Sequence, residues 1–403
     1  MRMAAALPAR RPARPQGAPE GISGTGPTAL PGLYLHIPFC LRKCAYCGFY
    51  SQTDLAQIPA FLTALRREIA IYAEGAGPFD SLYIGGGTPS ILGAAELERL
   101  LGDLRGAFPI TSDAEITIET NPGDVTRELL AALRRAGVNR LTIGCQSFSD
   151  EILQFLGRRH TAEQAVEAVS LARETGFDNI GIDLIYGIPT PSGSAFADWL
   201  AALQKAIVLR PEHLSCYQLT IEPQTPLADR IAGEGLCLPG EEAQARYFFR
   251  TSEILTEAGY GHYEISNFAR EDRFRSRHNG KYWDHTPYLG LGPAAHTFDG
   301  RLRRWNHRSV AHYLSDLAAG KRPVAESELL TDAERCLEAF FLGLRTSRGI
   351  HLETFRKRYG LDLRKEKGTM LTKLAQEGLV EVQNGFLQPT RAGMAVADSL
   401  ALI

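Results

Sequence analysis

From Gly32 the chain alternates two hydrophobic rhythms: short runs rich in aliphatic and β-branched residues, and longer stretches in which apolar positions return every three or four residues. The short runs are Leu33 to Ile37, Ser81 to Ile84, Glu115 to Ile118, Arg140 to Ile143, Ile180 to Ile185 and Leu214 to Leu219, and each predicts a strand. The stretches near 55–73, 94–107, 126–136, 161–175, 195–208 and 241–258 predict helices. Alternation of this kind gives a parallel sheet with right-handed helical crossovers. Six units suit an open doubly wound sheet or an incomplete barrel. The unusual polar residues follow the carboxyl ends of the first five strands in turn and do not cluster at one switch point. That pattern favours an α/β fold with an incomplete (β/α)6 TIM-like barrel and a site at its mouth, spanning 32–259.

Both ends of the chain break the rhythm. Residues 1–31 hold six of the 22 prolines and show no hydrophobic period, so a disordered leader is expected. Its arginines also suit an organelle transit peptide, but Pro8, Pro12, Pro15 and Pro19 would interrupt the amphipathic helix such a peptide needs. Residues 260–330 are dense in aromatics and His, from Tyr263 to His307, and are expected to cap the barrel or shape a pocket. The remainder, 331–403, reads as helices to Arg345, near His351 to Tyr359 and near Met370 to Glu377, followed by a hairpin turning at Asn384-Gly385. A small C-terminal winged-helix-like α+β domain fits, and its mixed charges point to a lid or docking module over a DNA reader.

Composition narrows the function class. At 44% hydrophobic and 22% charged residues, the 403-residue chain belongs among globular proteins, so wholesale disorder and fibrous repeats are excluded. A net charge of -2 leaves no footprint for polyanions, so nucleic acid is not an expected partner. No apolar run approaches the roughly 18 residues of a membrane span and the N-terminus lacks a signal peptide's apolar region. The expectation is a cytoplasmic protein with no membrane span, a peripheral contact being left open.

Seven cysteines, three of them within eight positions, do not form an evenly spaced disulfide framework. Cys40, Cys44 and Cys47 stand in His36-Ile-Pro-Phe-Cys40-Leu-Arg-Lys-Cys44-Ala-Tyr-Cys47, in the loop expected after the first strand. Three thiolates on one short loop can serve one metal centre, zinc or an iron–sulfur cluster. Structural zinc wants a fourth protein ligand, whereas three cysteines on a four-iron cluster leave one iron open for chemistry. Cys145, Cys216, Cys237 and Cys336 are scattered, and Cys145, Cys216 and Cys336 read as packing residues.

This loop, together with Tyr34-Leu-His-Ile-Pro-Phe-Cys40, Gly85-Gly-Gly-Thr-Pro89, Glu119-Thr-Asn-Pro122, Gly144-Cys-Gln-Ser-Phe148, Leu156-Gly-Arg-Arg-His160 and Asp183-Leu-Ile-Tyr-Gly-Ile-Pro189, resembles the radical S-adenosylmethionine (SAM) superfamily. Within it the chain is similar to the branch holding oxygen-independent coproporphyrinogen III oxidase and the heme chaperones related to it, over about residues 32 to 395. The resemblance implies a radical SAM barrel, a [4Fe-4S] cluster on Cys40, Cys44 and Cys47, SAM chelated at the open iron, and an electron donor for the cluster. It places Tyr34, Tyr46, Gly87, Thr88, Glu119, Gln146, Arg158 and Asp183 around SAM.

Two features divide the branch. The oxidase pattern carries a further Cys two positions after the third ligand, where this chain has Phe49. The chaperones carry H-N-x-x-Y-W, present here as His278-Asn-Gly-Lys-Tyr282-Trp283, a motif associated with heme. An imidazole is a common heme ligand and Tyr and Trp offer flat surfaces to a porphyrin, although an aromatic-rich segment packed on the barrel would carry the same residues. The resemblance therefore implies a heme chaperone with heme, SAM and a cluster as cofactors and a heme-accepting protein as partner. The alternative is a decarboxylating enzyme of coproporphyrinogen dehydrogenase type, so the chain's standing as an enzyme stays open.

Overall fold

In the computed structural model the described residues are 29–189, 195–236 and 238–400. The leader expected at 1–31 thus falls outside them as far as residue 28, as does Cys237. Six parallel strands lie side by side in chain order: β1 (Gly32–Ile37), β2 (Phe79–Gly86), β3 (Ile110–Thr120), β4 (Arg140–Gln146), β5 (Ile180–Tyr186) and β6 (His213–Gln218). Helices Ile58–Ala73, Gly93–Ala107, Arg127–Arg135, Ala162–Glu174, Ala195–Leu209 and Glu241–Glu257 follow them. Two further short helices, Asp150–Phe155 and Pro226–Glu234, sit in the loops after β4 and β6.

Strand alternation explains the layering. Leu33, Leu35 and Ile37 of β1, Leu82 and Ile84 of β2, and Ile116 and Ile118 of β3 are buried on one face, where they meet helix residues such as Leu65, Leu101 and Leu133 in one core. The intervening positions are polar: Tyr34 and His36, Ser81 and Tyr83, Glu115, Thr117 and Glu119, then Arg140, Asp183, and His213, Ser215 and Tyr217. This face lines the interior of the barrel. Asp183 pairs with Ser215 in mid-strand, three residues before the strand ends at Tyr186. Period-two alternation carries its side chain inward from there.

The sheet does not close. β1 pairs on its free side with β9 (Tyr288–Leu291) in parallel, and β10 (His296–Phe298), β11 (Leu302–Asn306) and β12 (Val324–Leu329) continue antiparallel from it. At the other edge, β6 pairs antiparallel with β8 (Asn267–Ala269), which pairs with β7 (Gly261–His262). The segment expected as a cap thus extends both sheet edges. Its crossing between them is the helix Arg277–Trp283 at the amino ends of the strands, here termed the floor.

The C-terminal segment has its own core of Phe340, Leu344, Phe355, Leu374 and Leu387, and a small antiparallel sheet of β13 (Ile350–His351), β14 (Val380–Gln383) and β15 (Phe386–Pro389). The hairpin turns at Asn384 and Gly385, with φ of 51° and 82°, as a two-residue loop with both residues left-handed requires. Its hydrogen bonds to the rest of the chain run to the floor side: Ser347 N to Tyr263 O at 3.0 Å, Tyr359 Oη with His285 Nδ1 at 3.0 Å, and Arg358 Nη1 to Asp284 O at 3.0 Å. None of these described bonds reaches the cysteine loop. Among the described residues, no helix is long and apolar enough to cross a membrane.

Candidate functional site

The loop after β1 carries the three cysteines, and backbone bonds fix its shape. Gln52 N donates to Pro38 O at 2.8 Å, Cys40 N to Gln52 O at 3.0 Å and Ala45 N to Leu156 O at 3.0 Å. All three thiols are free and half-buried. Each sulfur meets one donor: Thr88 Oγ1 lies 3.4 Å from Cys40 Sγ, Arg158 Nη1 lies 3.3 Å from Cys44 Sγ, and the Phe49 amide donates to Cys47. Burial pushes the Cys47 thiol up to about 11, with the Phe49 bond opposing it. A bound cation would reverse that balance, since metal coordination deprotonates a thiol outright.

The donor set separates the two metal readings. A single zinc ion needs its sulfurs within about 2.3 Å of one point. Among the described residues no group of three or more His, Cys, Asp or Glu is preformed around one metal ion. Three thiolates suit a four-iron cluster with one open iron, and hydrogen bonds to the sulfurs, as from Thr88, Arg158 and the Phe49 amide, are a recurrent part of such sites.

Behind the cysteines, β2 ends in Gly85 and Gly86, and Gly87 after them presses against the start of the cysteine loop. Gly86 has φ of 112°, and a Cβ on Gly87 would stand 2.5 Å from Phe39 O. Gly87 N donates to Ile37 O and Thr88 N to Phe39 O, both at 2.8 Å. Glycine permits the positive φ at Gly86 and the close approach at Gly87. A Cβ on Gly85 would likewise stand 2.9 Å from Cδ of Glu119. Glu119 accepts from Tyr83 Oη at 2.8 Å and from Gly86 N at 3.2 Å. Desolvation raises its carboxyl to about 7 against the Tyr83 bond, and the charge of Asp183 adds to the rise. Asp183 is raised to about 6, again chiefly by desolvation, with the Ser215 bond and the Arg140 and Arg158 charges opposing.

Arg158 ties the cysteines to this acidic wall. Its Nη2 donates to Gly144 O at 2.8 Å, and it also bonds the Tyr46 phenol, whose pKa burial drives upward. Gln146, with φ of 66°, directs its amide back over Gly144. Tyr34 Oη pairs with His36 Nδ1 at 3.0 Å, and His36 Nε2 donates to Tyr50 O at 2.8 Å. Burial also drives the Tyr34 phenol upward. Asp183 Oδ1 and Arg158 Nε are among the buried polar atoms with no described partner. Standing beside three free thiols, they suit a polar ligand.

The mouth therefore gathers Tyr34, Tyr46, Gly87, Thr88, Glu119, Gln146, Arg158 and Asp183 around the cysteine loop. Tyr83, Ser215 and His36 join them without having been singled out from the sequence. The available signal was their period-two placement as polar residues within apolar strands.

The His278 motif lies at the other end. Glu115 accepts from the amides of Arg277 and His278, both at 2.9 Å, and anchors the start of the helix. The His278 ring is buried, with Nδ1 3.0 Å from Ser81 Oγ and Nε2 3.0 Å from Tyr282 Oη. It stacks on Tyr83 at 5.2 Å, and burial lowers it to about 3. Trp283 is buried and Lys281 bonds Asp80 at 2.5 Å. Iron ligation by His278 would require giving up one of its two bonds.

Residues 34–203 match the radical SAM superfamily and residues 330–396 the HemN C-terminal domain. The chain is 33% identical over 371 residues to the heme chaperone HemW of Bacillus subtilis (strain 168), covering 91% of this chain and 97% of that protein. It is 41% identical over 282 residues to the heme chaperone HemW of Escherichia coli (strain K12), covering 68% of this chain and 72% of that one. Among solved structures, coproporphyrinogen III oxidase (HemN) from Escherichia coli, a radical SAM enzyme, matches with a TM-score of 0.79 at 28% identity, over 93% of this chain and 89% of that chain.

Proposed function

The chain belongs to the heme chaperone HemW family of radical SAM proteins, and from that membership we propose that it holds a [4Fe-4S] cluster and SAM in the barrel mouth, binds heme, and passes it to an acceptor protein. The observation that carries the cofactor assignment is the mouth: three free thiols with one donor each, beside Asp183 and Arg158, which keep buried polar atoms unsatisfied. When bound, the cluster supplies an electron to SAM.

The chain's own residues then divide the work. Cys40, Cys44 and Cys47 hold the iron, and Thr88, Arg158 and the Phe49 amide support the sulfurs. The glycine turn at Gly87 and Thr88 offers backbone to the amino-acid end of SAM. Glu119, Gln146 and Asp183 offer acceptors to its hydroxyls and amine, and Tyr34 and Tyr46 flank it. Desolvation raises the carboxyls of Glu119 and Asp183, to about 7 and about 6, in the ligand-free protein, and positive groups of SAM opposite them would favour the charged forms.

His278, Tyr282 and Trp283 enter as residues acting on the ligand sites from beneath. His278 stacks on Tyr83, whose hydroxyl orients Glu119. An electron donor for the cluster completes the partner set, and the exposed Leu41 in the cysteine loop offers it a contact. A cytoplasmic setting suits the free thiols of Cys145, Cys216 and Cys336.

Likeness to coproporphyrinogen III oxidase keeps one competitor, a radical decarboxylase. Phe49 stands against it, because it replaces the cysteine of the oxidase pattern and is half exposed at 52%. Heme titration of the anaerobically reconstituted protein, in parallel with coproporphyrinogen III plus SAM and reductant, separates the two. The proposal expects saturable heme binding without decarboxylation.

A further inference from the structure

A heme iron held by a histidine needs an imidazole with a free nitrogen that a flat macrocycle can reach. The ten histidines differ sharply in this respect. Eight use a ring nitrogen inside the protein, with His36, His262 and His278 using both. His307 and His351, both half-buried, keep one nitrogen each without a described bond while the other is tied to Asp316 or Thr354; the two exposed imidazoles with no described bond at either nitrogen are His296 and His312.

Their settings separate them. His312 lies on the helix Val310–Ala318, outside the sheet, edge-on to His307 at 5.6 Å. His296 begins β10 just after the turn that follows β9, at the same end of the sheet as the cysteine loop, since β9 runs parallel to β1. It pairs with Trp305 across β10 and β11, and the two rings stack at 5.6 Å with 26° between planes. A porphyrin stands perpendicular to its axial imidazole, so a partner on the imidazole face fixes the ring's orientation while leaving both nitrogens open.

The rest of the setting suits heme. Arg308 is exposed, and its Nη2 donates to Gly48 O at 3.4 Å, which joins the strand segment after His296 to the cysteine loop beside Phe49. Its charge acts on both His296 and His36. A cationic fork for a propionate and an exposed aromatic for the apolar edge therefore share one surface with a free imidazole.

We propose that His296 is the axial ligand of the bound heme, oriented by Trp305, with Arg308 receiving a propionate and Phe49 the apolar edge of the ring. The assignment rests on the heme-chaperone reading above. It places the cargo at the mouth, beside the cluster, and gives His278 a bracing role under the barrel.

The test is ferric heme titration of the full-length, cluster-loaded protein, followed by absorption and electron paramagnetic resonance. Wild type should show a histidine-ligated spectrum. His296→Ala should shift the Soret band, lose that signature and weaken binding, and added imidazole should restore the signature. His312→Ala and His278→Gln should keep it. A His296→Ala protein with wild-type spectrum and affinity overturns the assignment, as does loss of the signature in His312→Ala or His278→Gln alone. If wild type binds no heme, the chaperone reading fails, and the assignment with it.

Discussion

The two ends of the barrel differ in how their chemistry-bearing side chains are held. At the floor, both nitrogens of His278 are bonded, by Ser81 and Tyr282, and both oxygens of Glu115 accept from backbone amides. At the mouth, three thiols are free, and Asp183 Oδ1 and Arg158 Nε have no described partner. Residue types rich in chemistry occur at both ends. The difference lies in particular groups: His278 and Glu115 are bonded at both ring nitrogens and both oxygens, although Trp283 Nε1 and Arg140 Nε near them have no described partner, whereas the unbonded atoms of Asp183 and Arg158 stand beside three free thiols.

The largest expected effect is at the mouth. Replacing Cys40, Cys44 or Cys47 by Ala should abolish the brown chromophore and remove about four irons per chain, since three cysteines on the cluster leave no spare thiolate. Cys145→Ala and Cys216→Ala, both in the core, should leave iron content unchanged. Full iron in Cys44→Ala would break the contrast at its strongest point.

The floor should respond in stability. His278→Ala removes a buried ring and strands the hydroxyls of Ser81 and Tyr282, which costs about 2–4 kcal/mol. Denaturant unfolding measures it, and unchanged stability would move His278 out of the framework.

A smaller effect is expected at the acidic wall. Asp183→Ala and Glu119→Ala should weaken SAM binding by roughly ten- to a hundredfold, the equivalent of about 1.5–3 kcal/mol each, with the cluster spectrum intact. Calorimetry reporting wild-type affinity in both variants would remove SAM from this wall.

The smallest effect is the pH dependence of the ligand-free protein. Burial raises Asp183 to about 6 and Glu119 to about 7. Folded values above the unfolded ones mean that the folded state binds more protons. Their stability contribution is complete below the unfolded values near about 4 and is lost as pH rises through about 6 to 7. Asp183→Asn should flatten that decline, by on the order of 1–3 kcal/mol at pH above both values. An identical pH slope in the variant would show that Asp183 is not desolvated as described.

Much of this architecture was legible in the sequence because burial enforces periodicity. The run Leu33 to Ile37 appears as Gly32–Ile37, and Arg140 to Ile143 opens a strand that continues to Gln146. The edge strands were not legible: Gly261–His262, Asn267–Ala269 and His296–Phe298 span two or three residues, too few for a period to show. Asp150–Phe155 was missed for the same reason, being under two helical turns.

At the site, cysteine spacing and the glycine run carried their geometry in the sequence, since their chemistry is local. The His278 motif did not. Its residue types suit a heme pocket, but whether a ring nitrogen is free depends on Ser81, 197 residues away. For His296 the deciding facts were equally remote from its sequence neighbourhood: a strand pairing that sets it against Trp305 and a turn that brings it to the mouth.

The most direct test of the central claim is one parallel titration of the anaerobically reconstituted wild-type protein. Heme added alone should bind saturably with a Soret shift, and coproporphyrinogen III with SAM and reductant should remain undecarboxylated. Robust formation of protoporphyrinogen IX, with no saturable heme binding, would contradict the account.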